Sequence, residues 1–303
     1  MASAYDVGMS PSADIIAVIG FGEAGQTFAL AGGWASRAQV HDRLTTDALT
    51  RGAKLADYAA AGVQGCDTLD DAILGAGAIL SLVTADQALA AATEAARSIA
   101  ACGLYLDLNS VAPQTKRAAA RAIEAAGGHY VDVAVMSPVQ PLALAVPLLL
   151  SGAMSSEAAE RLASLGFSNI RIVGDQVGRA SSIKMIRSVM VKGIEALSAE
   201  CVLAASEAGV LNEVIASLDA SWPGADWGRR ADYNLDRMMV HGLRRSAEME
   251  EVVRTLDDLG TGSGMSRGTV LRQAAIGSLG LKVPPEGLTA KIASVLPKRA
   301  KAA

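Results

Sequence analysis

The chain is poor in the residues that mark several classes of protein. It has three cysteines in 303 residues, Cys66, Cys102 and Cys201, with no CxxC pair and with apolar or alanine-rich neighbours. An odd, scattered set of this kind argues against a disulfide framework, and all three read as small, reduced core residues. The three histidines, His41, His129 and His241, are far apart and in no metal spacing such as HExxH, so metal dependence has no support. There is no basic run: 27 Lys and Arg are dispersed against 31 Asp and Glu, for a net charge of −4. That balance speaks against nucleic acid or acidic lipid as the main partner. No apolar stretch reaches the ~20 residues of a membrane span. The strongest candidate, "PLALAVPLLLSGAM" at 141–154, is interrupted by Pro141 and Pro147. The opening "MASAYDVGMSPSAD" has neither a basic start nor an apolar core. It reads as a tail and not a signal peptide, while the reduced cysteines point to the cytoplasm as the expected compartment.

What is present is apolar residue, 51% of the chain, and length enough for two domains. From 14 to 176 short apolar runs alternate with alanine-rich helical stretches, which predicts a doubly wound, mostly parallel sheet. The candidate strands are 15–20, 38–42, 62–66, 78–83, 104–108, 130–135, 147–152 and 169–174, with a helix at 113–126. From 177 to 296 the period is helical throughout, broken by "SWPGADWG" and "GTGSGMSRG". This predicts a second, all-α domain that opens with an interdomain helix over 179–208, with short tails at 1–13 and 297–303. That helix reads as buried yet carries Lys184, Arg187 and Lys192. Charge in such a place needs a partner, a route to water or a task.

"AVIGFGEAGQTFAL" sets Gly20, Gly22 and Gly25 as GxGxxG directly after a strand and at the start of a helix. There, backbone N–H groups and the helix dipole can receive a pyrophosphate. The next strand ends at Asp42, 22 residues after Gly20, the place of an acid that accepts from the adenosine ribose diol. Asp42 favours NAD. Arg43 can stack on adenine, pair with a 2′-phosphate or be a solvated loop cation, so NADP stays open.

Four stretches in order, GxGxxG at 20–25, "DLNSVAPQTK" at 107–116, "GGHYVDVAVMSPV" at 127–139 and "GRASSIKMIRS" at 178–188, together resemble the β-hydroxyacid dehydrogenase and 6-phosphogluconate dehydrogenase superfamily. "HGLRRSAEMEEVVRTLDDLG" looks like its branch with a DUF1932 C-terminal domain. The resemblance implies a Rossmann domain, a helical domain that forms a homodimer, and an NAD(P)-dependent dehydrogenase of a small molecule. It implies a cofactor set of Gly20, Phe21, Gly22, Glu23, Ala24, Gly25, Asp42, Arg43, Val83, Thr84 and Asn109. In the motif after the fifth strand, Ser110 is the substrate contact. The family's DAPVSGG reads here Asp132, Val133, Ala134, Val135, Met136, Ser137, Pro138. Ser137 and Met136 thus fall in the substrate site without the paired glycines, which makes a bulkier or less polar substrate plausible. The motif GxGxxxKxxNN aligns its catalytic lysine with Lys184 and its two asparagines with Arg187 and Ser188.

Lysine suits the reaction. Hydride transfer to a carbonyl carbon develops negative charge on oxygen, and an ammonium beside it supplies both a proton and a compensating charge. At ~100° per residue, Ser181, Lys184, Ser188 and Glu195 fall within one quadrant of the helix, a polar stripe toward the cofactor. The competing expectation is that Lys184 reaches solvent or pairs with Glu195. Imine reductases share the architecture but generally lack this lysine, so alcohol and carbonyl chemistry is favoured over imine reduction. A non-catalytic NAD(P) sensor is a further alternative. His241, Arg244, Arg245 and Glu248, spaced i, i+3, i+4, i+7, read as a solvated or dimer-bridging face. "GMSRG" at 264–268 follows a turn and not a strand, so it is no nucleophile elbow.

Overall fold

The computed structural model describes residues 12–296. Residues 1–11 and the expected tail at 297–303 lie outside them. The strands are β1 (Ser12–Ile19), β2 (Ala38–His41), β3 (Gln64–Gly65), β4 (Ala76–Ser81), β5 (Leu104–Asp107), β6 (His129–Val135), β7 (Leu148–Ser151) and β8 (Ile170–Gly174). They form one sheet in the order β3-β2-β1-β4-β5-β6-β7-β8. All neighbours are parallel except β6 and β7. The expected doubly wound, mostly parallel sheet is therefore present, with a strand in every segment that the apolar runs marked.

Helices α1 (Glu23–Gly32), α2 (Ala48–Ala61), α3 (Leu69–Ile73), α4 (Ala88–Ala95), α5 (Pro113–Ala125) and α6 (Ser155–Ser164) follow the strands. Each starts where the chemistry allows: Asp47 caps α2 by accepting from Leu49 N–H, and Pro113 opens α5 at a position where a missing N–H costs nothing. A parallel sheet covered on both faces needs two cores. On one face Ile16, Val18, Leu80, Leu106, Val131 and Leu150 pack with Phe28 and Trp34. On the other, Ala17, Ile19, Ile79, Tyr105 and Tyr130 pack with Ala92, Ala120 and Ile123. Each fully buried Ile, Leu, Val or Phe among them contributes ~1.5–3 kcal/mol by removal from water.

The chain separates into two compact units, one ending at Lys184 and one beginning at Met185. Helix α7 (Arg179–Glu207) runs through that boundary, and α8 (Leu211–Ser221), α9 (Trp227–Asp258), α10 (Gly264–Gly277) and α11 (Leu288–Val295) complete the second unit. Its core is Val202, Leu235, Met238, Met239, Ile276 and Ile292. Helices α9 and α10 touch backbone to backbone: a Cβ on Gly242 would lie 2.5 Å from Gln273 O, and one on Gly277 would lie 2.5 Å from Leu243 N.

The cysteines correct one expectation. All three are free thiols, but Cys102 is exposed and Cys66 and Cys201 are only partly buried. Cys102 sits in the tight turn before β5 at φ 63°, where alanine-rich flanks belong to a surface turn and not to the core.

Candidate active site

The glycine loop is built by the ends of β1, β2 and β4. Gly20 donates its N–H to His41 O at 2.8 Å and holds φ 86°, and a Cβ there would sit 2.7 Å from Leu82 O. Only glycine fits this crossing, which brings the loop against Leu82 and Val83 where the strand order reverses. Gly22 is the N-cap of α1 and gives no side-chain cap, and a Cβ on it would meet nothing within 4 Å. The first N–H groups of any helix lack intrahelical acceptors, so α1 offers them to an anion across open space. Phe21 and Gly25 are buried, Ala24 is half-buried, and Glu23 is exposed in the first turn.

Asp42 braces this loop. Its Oδ2 accepts from Phe21 N–H at 2.7 Å and its Oδ1 from Leu44 N–H at 3.0 Å. Arg43, next to it, is exposed. Lys54 and Tyr58 were not anticipated. Lys54 Nζ donates to Phe21 O at 2.9 Å and pairs with Asp57 at 2.8 Å, and Tyr58 meets Phe21 edge-on at 5.3 Å. Burial, and secondarily the carboxylate of Asp42, push the Tyr58 phenol well above its ordinary value. The signal was present: Lys54, Tyr58 and Ala61 lie at i, i+4, i+7, the buried face of α2.

After β5 the chain turns sharply. Asp107 Oδ1 accepts from Asn109 N–H at 2.9 Å, and Asn109 Nδ2 donates to Ser81 Oγ at 2.9 Å. Asn109 Oδ1 is buried without a hydrogen-bond partner among the described residues, an acceptor that calls for a donor. Thr84 is exposed after β4. An uncapped helix start beside a glycine that leaves space, together with an orphan acceptor at the next strand ends, fits a dinucleotide.

Lys184 lies in the second turn of α7. Its Nζ donates to Ser110 Oγ at 2.5 Å, with both side chains partly buried. The residues beneath are polar in a pattern unusual for a core. Ser81, Asp107, Asp132 and Ser151 occupy one continuous register across β4, β5, β6 and β7, and all four are fully buried. Asp132 Oδ2 accepts from Gly178 N–H at 3.2 Å, from Ser181 N–H at 3.0 Å and from Ser181 Oγ at 2.9 Å. Ser151 Oγ accepts from Ala180 N–H at 3.0 Å. Lys116 of α5, fully buried, donates to Asp107 Oδ1 at 2.9 Å and stands 3.4 Å from Asp132 Oδ1.

The polar stripe expected on α7 is divided by this arrangement. Ser181 faces Asp132, while Glu195 is taken by Arg245 and by Gln273 Nε2 at 2.9 Å in the second unit. Arg187 is exposed, Ser188 is buried, and Lys192 is buried against Glu248 at 2.6 Å. Arg245, expected on a solvated face, is buried. Met136 packs with Ala134, Leu149 and Ala180, and Ser137 Oγ donates to Pro138 O at 3.2 Å.

A family model described as the NAD binding domain of 6-phosphogluconate dehydrogenase matches residues 15–166, and a domain of unknown function, DUF1932, matches 205–276. The chain belongs to this family of NAD-binding dehydrogenases. A conserved hypothetical protein from Sinorhizobium meliloti 1021 is 38% identical, with 96% of this chain and 98% of that one covered and a TM-score of 0.74. A conserved protein of unknown function, whose structure is described as similar to 3-hydroxyacid dehydrogenases, is 30% identical, with coverage of 87% and 96% and a TM-score of 0.67. The 3-hydroxyisobutyrate dehydrogenase of Mycobacterium tuberculosis, solved with L-serine, has the same fold at 14% identity, with coverage of 95% and 99% and a TM-score of 0.73. The first unit of this dehydrogenase-family chain is accordingly an NAD(P)-binding domain, and no helix among its described residues is long and apolar enough to cross a membrane.

Proposed function

We propose that this family member is a dehydrogenase or reductase of CH–OH and carbonyl groups in a small molecule, with Lys184 as general acid and base. The observation that carries the reading is the Lys184–Ser110 pair at 2.5 Å, within the same compact unit as the glycine loop. The nicotinamide, when bound, supplies or accepts the hydride. Lys184 holds the proton that the substrate oxygen gains or loses, and Ser110 fixes the amine on one side while it offers a hydroxyl to the same oxygen. Asn109 Oδ1 would accept a hydrogen bond from the cofactor. Ser137 stands in the motif that binds substrate in the family, where Pro138 supplies no N–H donor.

Asp42 leads us to assign NAD over NADP. Its carboxylate has acceptor capacity beyond the two backbone N–H groups, and it repels a 2′-phosphate. The helical unit is proposed to form a homodimer, since Ile186, Met190 and Leu197 of α7 and Leu243 of α9 leave large apolar side chains in water. Light scattering in solution tests this, and a monomer refutes it.

The test of activity is a turnover panel of hydroxy acids, aromatic alcohols, ketones and cyclic imines with NAD and NADP and their reduced forms. Turnover of an alcohol or ketone that is lost in Lys184→Met supports the proposal. Turnover of imines alone reassigns the chemistry, and NAD(P) binding without turnover of any member turns the reading toward a sensor.

A further inference from the structure

Fully buried charge needs compensation on every side, and the cluster under Ser110 and Lys184 has a shape that goes beyond compensation. Asp107 and Asp132 are register partners on β5 and β6; Lys116 of α5 hydrogen-bonds Asp107 and lies 3.4 Å from Asp132 Oδ1, a charge contact without a hydrogen bond, and all three are fully buried. Asp107 spends its other contacts on the turn that leads to Ser110, through Asn109 N–H, and on Tyr130 Oη at 2.5 Å. Asp132 spends its other contacts on the start of α7, accepting from the N–H groups of Gly178, just before the helix, and of Ser181, in its first turn, in place of a local cap. Its neighbour Ser151 takes Ala180 N–H and donates to Asp132 at 3.3 Å. A carboxylate at this end of a helix is also favoured by the helix dipole.

We propose that Asp132, clasped to Asp107 through Lys116, is the positioning residue for the Lys184–Ser110 pair: one buried ionic cluster holds the turn that carries Ser110 and the first turn of the helix that carries Lys184. The proposal rests on the role assigned to Lys184, but its signature is independent of turnover. The two side chains that meet at 2.5 Å come from segments 74 residues apart. Each is anchored one to three residues away by an oxygen of the same clasped pair of carboxylates. Loosening Asp132 releases α7 while leaving the glycine loop, which makes none of these contacts.

The experiment combines hydrogen exchange of the 178–184 amides with acetylation of Lys184 by a water-soluble N-hydroxysuccinimide ester, read by mass spectrometry against exposed Lys282. Asp132→Leu is expected to speed exchange at Gly178 and Ser181 by about ten- to a hundredfold, the range set by hydrogen bonds to a charged acceptor. Lys184 acetylation changes severalfold, and NADH affinity stays within about twofold. Asp132→Asn, which keeps an acceptor, is expected to restore most of the protection. Ser110→Ala added to Asp132→Leu is expected to change Lys184 acetylation less than it does in the parent protein, since the pair is already parted. Unchanged exchange and labelling in Asp132→Leu, or full additivity with Ser110→Ala, overturn the proposal. Should Asp132→Leu fail to fold, Ser151→Ala and Ser181→Ala each remove a contact to α7 and leave all three ions. Faster exchange in these variants supports the proposal, and no change in either overturns it. With a substrate in hand, kcat falls while cofactor KM holds. Absence of any turnover sinks the dehydrogenase reading alone, because exchange and labelling do not depend on it.

Discussion

Each of the two units buries charge, and they use it differently. In the first, Asp107 ends β5, Asp132 lies mid-strand in β6 and Lys116 reaches both from α5, and the spare contacts of the two carboxylates go to a turn and a helix start. In the second, Glu195 lies mid-helix on α7 and is held by Arg245 of α9 and Gln273 of α10, while Lys192 meets Glu248. Those contacts join helix to helix. Buried ion pairs are weak evidence for net stability, since desolvation offsets most of the attraction. What they do is fix geometry, and the location of the fixed part decides whether that geometry bears on chemistry or only on packing.

The sharpest way to break the comparison is to remove one lysine from each unit. Lys184→Met should lower kcat by about 10²- to 10⁴-fold, the usual worth of general acid or base help, with NADH affinity intact. Lys192→Met should leave kcat nearly unchanged. Arg245→Met should do the reverse of Lys184→Met: an orphaned Glu195 in the core costs ~3–5 kcal/mol in urea unfolding, while NADH titration is unaffected. Gly242→Ala forces α9 and α10 apart and should cost ~1–3 kcal/mol by overpacking, again by urea unfolding. The smallest effect is in pH. Burial, partly opposed by Glu248, holds the Lys192 ammonium below the ordinary lysine range. The unfolded chain then binds more protons between the lowered folded value and ~10.4, so this residue's contribution to stability rises as pH rises through that window and is absent below it. Urea midpoints of the parent protein should gain on those of Lys192→Met in that window; equal pH slopes refute it.

Much of the first unit was legible because its signals are local. Apolar runs marked all eight strands, and the glycine spacing marked the crossing at Gly20. Helix α7 begins at Arg179 as the helical period led one to expect, after Gly178, whose φ of 99° ends the preceding loop. The buried row of Ser81, Asp107, Asp132 and Ser151 was not, because it exists only in the register of strands far apart in sequence. Lys116 looks like a surface residue in "PQTKRAAARAIEAA", and only tertiary pairing shows why it is fully buried. The stripe on α7 failed for the same reason: periodicity gives the face of a helix, and neighbours decide which of its polar groups are already taken.

Asp42 constrains any redesign of coenzyme choice. Because its two oxygens receive the amides of Phe21 and Leu44, exchanging it for a small neutral residue to admit a phosphorylated ribose would also unfasten the turn that we propose meets the diphosphate. A variant selected for NADP use therefore has to work outward from Arg43, keeping an oxygen where Phe21 already points, or surrender binding of both coenzymes together.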